Sequence, residues 1–405
     1  LISIGMIVKN EIRSIEKCLK ALQPLRDAYP CELVIADTGS DDGTREVAAQ
    51  YADILFDFPW IDDFAAARNA VMDRCSGMWY FGVDADEYLD GDLSGFQELF
   101  QIPSNNRPVL CGITVRNYEG LDLAHAAYAD FIALRLARLD THIRYSGAIH
   151  ESLTLADKKT INVYPCLKII LHHDGYAFSS LEQAQKKSER NLVLLDKYLV
   201  EHPEDERCLI ECLEAARVLP GRAAKYAYPA MKLLRQPGRI PKPIWDSILS
   251  ARCVAAALDS RLPEGSDWLD WCLERFPDAA IVRLDAAYAG IMFYSSQKDY
   301  ERVLSLSQIY LDAIADERAG RLTQNERIYT AFQCISERCR DKVVTAMAIS
   351  LCKLGHSKKA FSELMGWSFE KASTTTANDW LRAMAHLEDV PGAAEEMARA
   401  LLLLE

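Results

Sequence analysis

Three carboxylates, Asp84, Asp86 and Glu87, directly follow the apolar run Trp79-Tyr80-Phe81-Gly82-Val83. Such a run reads as a buried strand. A buried strand that ends in acids places them at its carboxyl end, where open α/β sheets bind ligands. In an extended chain Asp84 and Asp86 share a face, and hard oxygens in that arrangement suit Mg²⁺ or Mn²⁺ held together with a diphosphate. The competing reading is an acidic turn that caps a following helix. Asp37 also stands at a strand end. Its carboxylate can accept from a ribose hydroxyl or a uracil N–H and would repel phosphate, so it belongs at the nucleoside end of a nucleotide, unless it only shapes its own turn. His150-Glu151 and His172-His173 are the other clusters. A Glu beside a bound sugar donor can take a proton from an acceptor, and a His can complete a metal site begun by Asp86. Both pairs also fit a hydrogen-bonded polar rim. Arg68 is either a solvated helix residue or one that reaches a diphosphate.

The elements that must position these groups come in a regular order. Leu1–Val8 is an apolar first strand ended by Lys9-Asn10-Glu11, and Ile12, Ile15, Cys18, Leu19 and Leu22 follow at helical spacing up to Pro24. Glu32–Ala36 is a second strand running into Asp37-Thr38-Gly39-Ser40-Asp41-Asp42-Gly43-Thr44. There Ser40 or Asp41 is expected to cap the next helix. A third strand is expected at 53–56, a helix at 60–75 and then the strand at Trp79. This strand–turn–helix rhythm predicts a parallel sheet with crossover helices. Beyond Asp92, residues 109–118, 131–139 and 143–145 are β-rich and read as strands added antiparallel, and 161–171 reads as another strand. Alternation in Arg135-Leu136-Ala137-Arg138 leaves at least one arginine facing the cleft. Neither G-x-G-x-x-G nor a P-loop motif is present, so dinucleotide and P-loop readings lack support.

The chain has 405 residues, 50% hydrophobic and 26% charged, which favours two soluble domains. A net charge of −13 and a pI near 5.2 argue against nucleic acid or an anionic membrane as main partner. No apolar run approaches membrane-spanning length, and no cleavable signal is visible. Twelve scattered cysteines without C-x-x-C spacing favour reduced, buried thiols and a cytoplasmic location. Cys208 and Cys212, one helical turn apart, are expected to pack in a core.

From Ser179 onward the pattern is helix after helix. Pro203 and Pro277 head similar phrases, separated by close to two ~34-residue tetratricopeptide units. Gly221–Tyr226, Gln297–Glu301 and Leu354–Phe361 read as turns opening the second helix of such units. Stacked hairpins offer an extended surface that typically holds a peptide or another subunit. Trp245, Trp268, Trp271, Trp367 and Trp380 are expected mostly in inter-helix packing, with one or two free to mark a groove. Leu401–Leu404 is a candidate for docking on a neighbour, including a homodimer through the helical domain.

Six segments in order resemble the family-2 glycosyltransferases of the GT-A fold. They are Ile7–Glu11, Ala36–Thr44, Phe64–Asn69, Asp84–Glu87, Gly147–Glu151 and His173–Tyr176. The resemblance covers about residues 1–178 and is closest to the branch in which this domain precedes helical repeats, which includes the sublancin-type S-glycosyltransferases. It implies an α/β GT-A (nucleotide-diphospho-sugar transferase) domain at 1–178, with a mixed, mainly parallel sheet, and an all-α helical-hairpin repeat domain at 179–405. It implies that Asp37 contacts the nucleoside base, that Val8 and Glu11 at the end of the first strand lie against the nucleotide, and that Arg68 sits near base and phosphate. Asp84 and Asp86 match the D-x-D pair, with Asp86 the metal ligand beside His173. Glu151 matches the acceptor-deprotonating acid of inverting members, with His150, Arg135 and Arg138 as further members of the site. Many relatives carry Glu-Asp where this chain has His150-Glu151, which puts the base assignment in question.

The implied reaction moves a sugar from a nucleotide donor, UDP-linked by expectation, with Mn²⁺ or Mg²⁺, onto a peptide or protein. Two rivals are the same chemistry on a cell-envelope glycan or lipid-linked sugar, and an inactive transferase fold whose repeats bind a protein. The intact Asp84, Asp86, Glu151 and His173 set argues against the inactive scaffold.

Overall fold

The computed structural model describes residues 1–118, 128–149, 151–155, 163–174, 181–219, 221–323, 326, 332–365, 374–387 and 389–402. The chain divides into two compact units, Leu1–Tyr198 and Leu199–Glu405. The division falls inside the helix Leu181–Glu201, beyond the expected boundary at 178/179. Within the first unit, Lys197 Nζ of this helix reaches Asp62 Oδ2 at 2.5 Å.

The first unit is built on an eight-stranded sheet of order β3-β2-β1-β4-β7-β6-β10-β5. The strands are β1 Ile2–Val8, β2 Cys31–Asp37, β3 Ile54–Asp57, β4 Trp79–Gly82, β5 Glu87–Leu89, β6 Leu110–Tyr118, β7 Tyr128–Arg138 and β10 Val163–His173. A separate hairpin pairs β8 Arg144–Ser146 with β9 Ser152–Thr154. Strands β3, β2, β1 and β4 are mutually parallel. β7 is antiparallel to both β4 and β6, so β6 runs parallel to β4 and not antiparallel as expected, and β8 lies in the separate hairpin and not in the sheet; β10 lies parallel to β6. The result is the mixed, mainly parallel α/β architecture expected from the sequence.

Alternation along the central strands sorts side chains onto two apolar layers. Ile2, Ile4, Met6 and Val8 of β1 join Leu33, Ile35 and Phe81 on one face, and Val34, Ala36 and Tyr80 line the other. Gly5 is required by the second layer: a Cβ there would meet the Tyr80 ring at 2.3 Å.

Local chemistry ends the elements near the carboxyl edge. Helix α4, Phe64–Met72, begins at Asp63, whose carboxylate accepts from Ala66 N at 2.9 Å. The helix after β2, Thr44–Ala48, has Gly43 at its N-cap, at φ 95°, and not Ser40 or Asp41. Asp42 takes over the capping chemistry by accepting from Thr44 N at 3.0 Å. The β1 and β2 end loops are sewn together: Asn10 N donates to Ser40 Oγ at 3.1 Å, Asp41 N to Asn10 Oδ1 at 2.9 Å and Glu11 N to Thr44 Oγ1 at 2.7 Å. Asn10 takes up a left-handed conformation, φ 56°, to allow this.

The second unit is helical among its described residues, and five hairpins can be traced there. They are Glu206–Ala216 with Ala223–Leu234, and Pro243–Asp259 with Gly265–Arg275. A π turn at Val282–Ala286 leads into Ala287–Gln297, which pairs with Tyr300–Arg318. Glu337–Lys353 then pairs with Ser357–Met365, and Thr374–Met384 with Ala393–Leu402. Among the described residues each turn holds one left-handed residue, respectively Gly221, Arg261, Lys298, Gly355 and Gly392. The three turns read from the sequence coincide with three of these. The hairpins begin at 206, 243, 287, 337 and 374, so their spacing is irregular and longer than the ~34 residues of a tetratricopeptide repeat.

Cys208 and Cys212 are buried in the core of this unit, as are Trp268 and Trp380. Trp245 lines a cavity of about 480 Å³ together with Lys242 and residues 202–207. Trp367, Leu403 and Leu404 lie outside the described residues. No described helix is long and apolar enough to cross a membrane.

Candidate active site

The acids after β4 occupy a tight turn, where Glu87 N donates to Asp84 O at 3.0 Å and Asp84 N donates to Glu87 Oε2 at 2.9 Å. They do not extend along one face, as expected, because this turn sends the two aspartates to different partners. Asp84 is gripped by two arginines. Arg68 Nη2 of α4 donates to Oδ1 at 2.6 Å and Arg135 Nη2 of β7 to Oδ2 at 2.8 Å. Arg135 Nη2 also reaches Glu87 Oε1 at 2.5 Å. Burial works to raise the Asp84 carboxyl, but Arg135 and Arg68 outweigh it and hold it well below the usual carboxylate range. Burial pushes the Glu87 carboxyl up to about 7 against the pull of Arg135.

Asp86 instead faces His173, with Oδ2 and Nε2 3.4 Å apart. Strand pairing brings this about. His173 of β10 lies opposite Asn117 of β6 on one side and Glu87 of β5 on the other. Its Nδ1 contacts Asn117 Oδ1 at 2.5 Å, which fixes the ring and directs Nε2 at Asp86. Burial acts to lower the His173 pKa, but Asp86 holds it above the ordinary value. Reciprocally, His173 holds Asp86 low against burial. Asp174 locks the junction. Its N donates to Asp86 O at 3.3 Å, and its carboxylate accepts from Arg13 Nη2 and the Tyr88 hydroxyl, each at 2.8 Å.

A divalent cation fits this corner by the chemistry of its donors. One carboxylate oxygen and one imidazole nitrogen suit Mn²⁺ or Mg²⁺ shared with a ligand's oxygens. Among the described residues no group of three His, Cys, Asp or Glu side chains is close enough to hold an ion unaided. Glu11, hydrogen-bonded by Ser14 Oγ at 3.2 Å, is pushed up to about 7 by burial, with Asp86 adding to the effect. Acids thus crowd a small volume, and a cation would relieve them.

Asp37, 2% exposed, ends β2. Its Oδ1 accepts from Gly39 N and Ser40 N, both at 2.7 Å, while Oδ2 is buried without a partner. Val8 stands beside it in register. The Val8 carbonyl already accepts from Thr38 N at 2.9 Å and Thr38 Oγ1 at 3.1 Å, which leaves Val8 a packing part.

Glu151 follows the β8 turn and is bound by Arg68 Nε. His150, Gly175 and Tyr176 lie outside the described residues. Arg138 is a correction: it sits opposite Trp79, at the start of β4 and away from the acids, and is paired with Asp140. Because β7 runs antiparallel to β4, Arg135 is the one that reaches the carboxyl edge. Arg68 is also placed differently from expectation, with its side chain 7% exposed and committed to Asp84 and Glu151. Sequence reading missed Glu87 as a site residue, although it stood in the same acidic run. It missed Asn117 too, which carries no local signal because its role comes from pairing with β10.

Residues 3–152 match the domain described as Glycosyl transferase family 2, so this stretch is a domain of that family. The chain is similar to a TPR repeat-containing protein of Synechococcus elongatus, 31% identical over 213 residues, which are 50% of this chain and 49% of that protein. It is also similar to the SPbeta prophage-derived glycosyltransferase SunS of Bacillus subtilis, 26% identical over 218 residues, 51% of this chain and 47% of SunS. The chain thus spans about half the length of the curated relatives it matches. Among solved structures it resembles the mannosyltransferase PcManGT of Pyrobaculum calidifontis in complex with GDP-Man and Mn²⁺. That likeness has 15% identity and covers 65% of this chain and 87% of that one, at a TM-score of 0.33, too low to match residues.

Proposed function

We propose that the first unit is a glycosyltransferase that moves a sugar, with inversion, from a nucleoside diphosphate donor, UDP-linked by best fit, to a peptide or protein acceptor. The observation that carries this reading is the approach of Asp86 and His173, from distant segments, to 3.4 Å beside an acid-rich turn at the carboxyl edge of the sheet. A cation held there would take up the charge that develops on the departing diphosphate. Asn117 and Asp174 keep the two ligating side chains oriented. The buried Asp37 Oδ2 accepts from a nucleoside N–H or hydroxyl. Glu151 takes the proton of the acceptor hydroxyl or thiol. The acceptor's lone pair forms the new bond to the anomeric carbon, and the bond to diphosphate breaks with its electrons leaving on the diphosphate. A single displacement needs no second nucleophilic carboxylate. The peptide acceptor is supported by the hairpin array that follows the domain.

The test is UDP release from UDP-glucose, UDP-GlcNAc and UDP-galactose in Mn²⁺, with water as the acceptor. Asp86→Ala should abolish metal-dependent UDP binding. Glu151→Gln should keep UDP binding and lower release by about 10²-fold or more. A wild-type protein that neither releases UDP nor binds it in a metal-dependent way would be a scaffold, and the proposal would be wrong.

A further inference from the structure

We infer that Arg68 is a positioning residue for the base Glu151 and not a nucleotide contact, an inference that rests on the function proposed above. Arg68 is 6% exposed. Its Nε donates to Glu151 Oε1 and its Nη2 to Asp84 Oδ1. Nη1 is enclosed without a partner, and the guanidinium carbon lies 5.5 Å from the centre of the Tyr145 ring. A side chain so enclosed offers no open face to a phosphate.

The neighbouring residues show what it fastens. Asn69 Nδ2 donates to Tyr145 O at 2.9 Å, and Tyr145 N donates to Asn69 Oδ1 at 3.0 Å. At the other end of the stretch Phe64 N donates to Ala148 O at 2.8 Å. The segment Phe64-Ala65-Ala66-Ala67-Arg68-Asn69 therefore clamps the chain around Tyr145–Glu151 at three points: backbone at Ala148 and at Tyr145, and carboxylate at Glu151. Helix α4 and the base-bearing segment form one body. Arg135 provides the contrast. It shares Asp84 with Arg68, but its second carboxylate is Glu87 and not Glu151. Both arginines support the acidic turn; only Arg68 ties it to the base.

A double-mutant cycle separates these roles. UDP release from UDP-glucose, UDP-GlcNAc and UDP-galactose in Mn²⁺ is measured for Arg68→Ala, Arg135→Ala, Glu151→Gln and the two doubles with Glu151→Gln. UDP affinity is measured in parallel. Arg68→Ala should lower kcat by about 10²-fold, the scale of lost general-base help, with donor KM and UDP affinity changed less than threefold. It should cost nothing further in the Glu151→Gln background, whereas Arg135→Ala should still add its own loss there. Exogenous guanidinium should restore part of the Arg68→Ala rate. Arg68→Lys, which keeps the charge, supplies the comparison if the alanine variant melts early. A tenfold loss of UDP affinity with kcat retained, in either Arg68 variant, would make Arg68 a nucleotide contact. Multiplying losses for Arg68→Ala and Glu151→Gln would make the two independent. Either result overturns the inference. No release by the wild type from any donor would instead sink the functional reading, and this inference with it.

Discussion

Each unit buries a cluster of charges, and the two clusters are finished differently. In the helical unit Arg252, 1% exposed, donates from Nε to Glu214 Oε1 at 2.5 Å and from Nη1 to Asp285. Asp285 also accepts from Gln333 N at 3.0 Å and Cys334 N at 2.9 Å. None of the three side chains has a buried polar atom left over. In the sheet unit Asp37 Oδ2 and Arg135 Nε are buried without a partner. Buried polar atoms are ordinarily satisfied, and exceptions call for an explanation. A cluster that only holds helices together is completed by the chain itself. A cluster shaped for a charged ligand is left incomplete until the ligand arrives.

The sharpest way to break this comparison is to cut each cluster once. Asp285→Ala strips a buried arginine of one partner and should cost about 3–5 kcal/mol in denaturant unfolding of the full chain. A cost below about 1 kcal/mol, the range of exposed pairs, would mean that the helical cluster is no better satisfied than the other. Asp37→Asn should have the opposite profile. The amide oxygen can keep the Gly39 and Ser40 contacts, so the melting temperature should hardly move, while UDP affinity in Mn²⁺ should fall about tenfold for the ~1.4 kcal/mol of a charge-assisted hydrogen bond. A destabilised Asn variant with full affinity would remove Asp37 from the site.

A weaker effect sharpens the picture of the helical unit. Burial, with Glu214 adding, pushes the Glu211 carboxyl up to about 8 from an ordinary 4.5. The folded state therefore holds a proton that the unfolded chain has released above pH ~4.5, so this residue's contribution to stability is undiminished below that pH. It declines as pH rises towards 8. Glu211→Gln should therefore raise the melting temperature at pH 8 more than at pH 4.5. An equal shift at both pH values would count against the raised carboxyl. Smallest of all, Lys298→Gly relieves a left-handed side chain at φ 61° and should stabilise by about 1 kcal/mol, the usual strain at such a position.

What could be read from the sequence was what lies close together in it. The Trp79–Glu87 run announced a strand end with acids, and Gly221, Lys298 and Gly355 fell in turns of the kind expected. Asp37 stood at a strand end in plain view. The remainder was set by pairing between distant segments. Arg135 and Arg138 look alike in the sequence, and only the antiparallel register of β7 on β4, with Phe81 opposite Leu136, decides which one meets Asp84. Asn117 becomes part of the site because β10 lies beside β6, parallel and interrupted by a register shift between Cys166 and Ile170, which no local pattern foretells. Arg68 looked like a phosphate ligand because charge is legible and burial is not.

The left-handed residues in the turns of the helical hairpins restrict how this region can change length. Every reversal from Gly221 to Gly392 spends one left-handed residue, so an extra amino acid there would twist the two helices out of register. A single inserted residue should therefore be rejected in the short turns at Lys298 and Gly355, and related genes would change length there by whole hairpins, not by single codons.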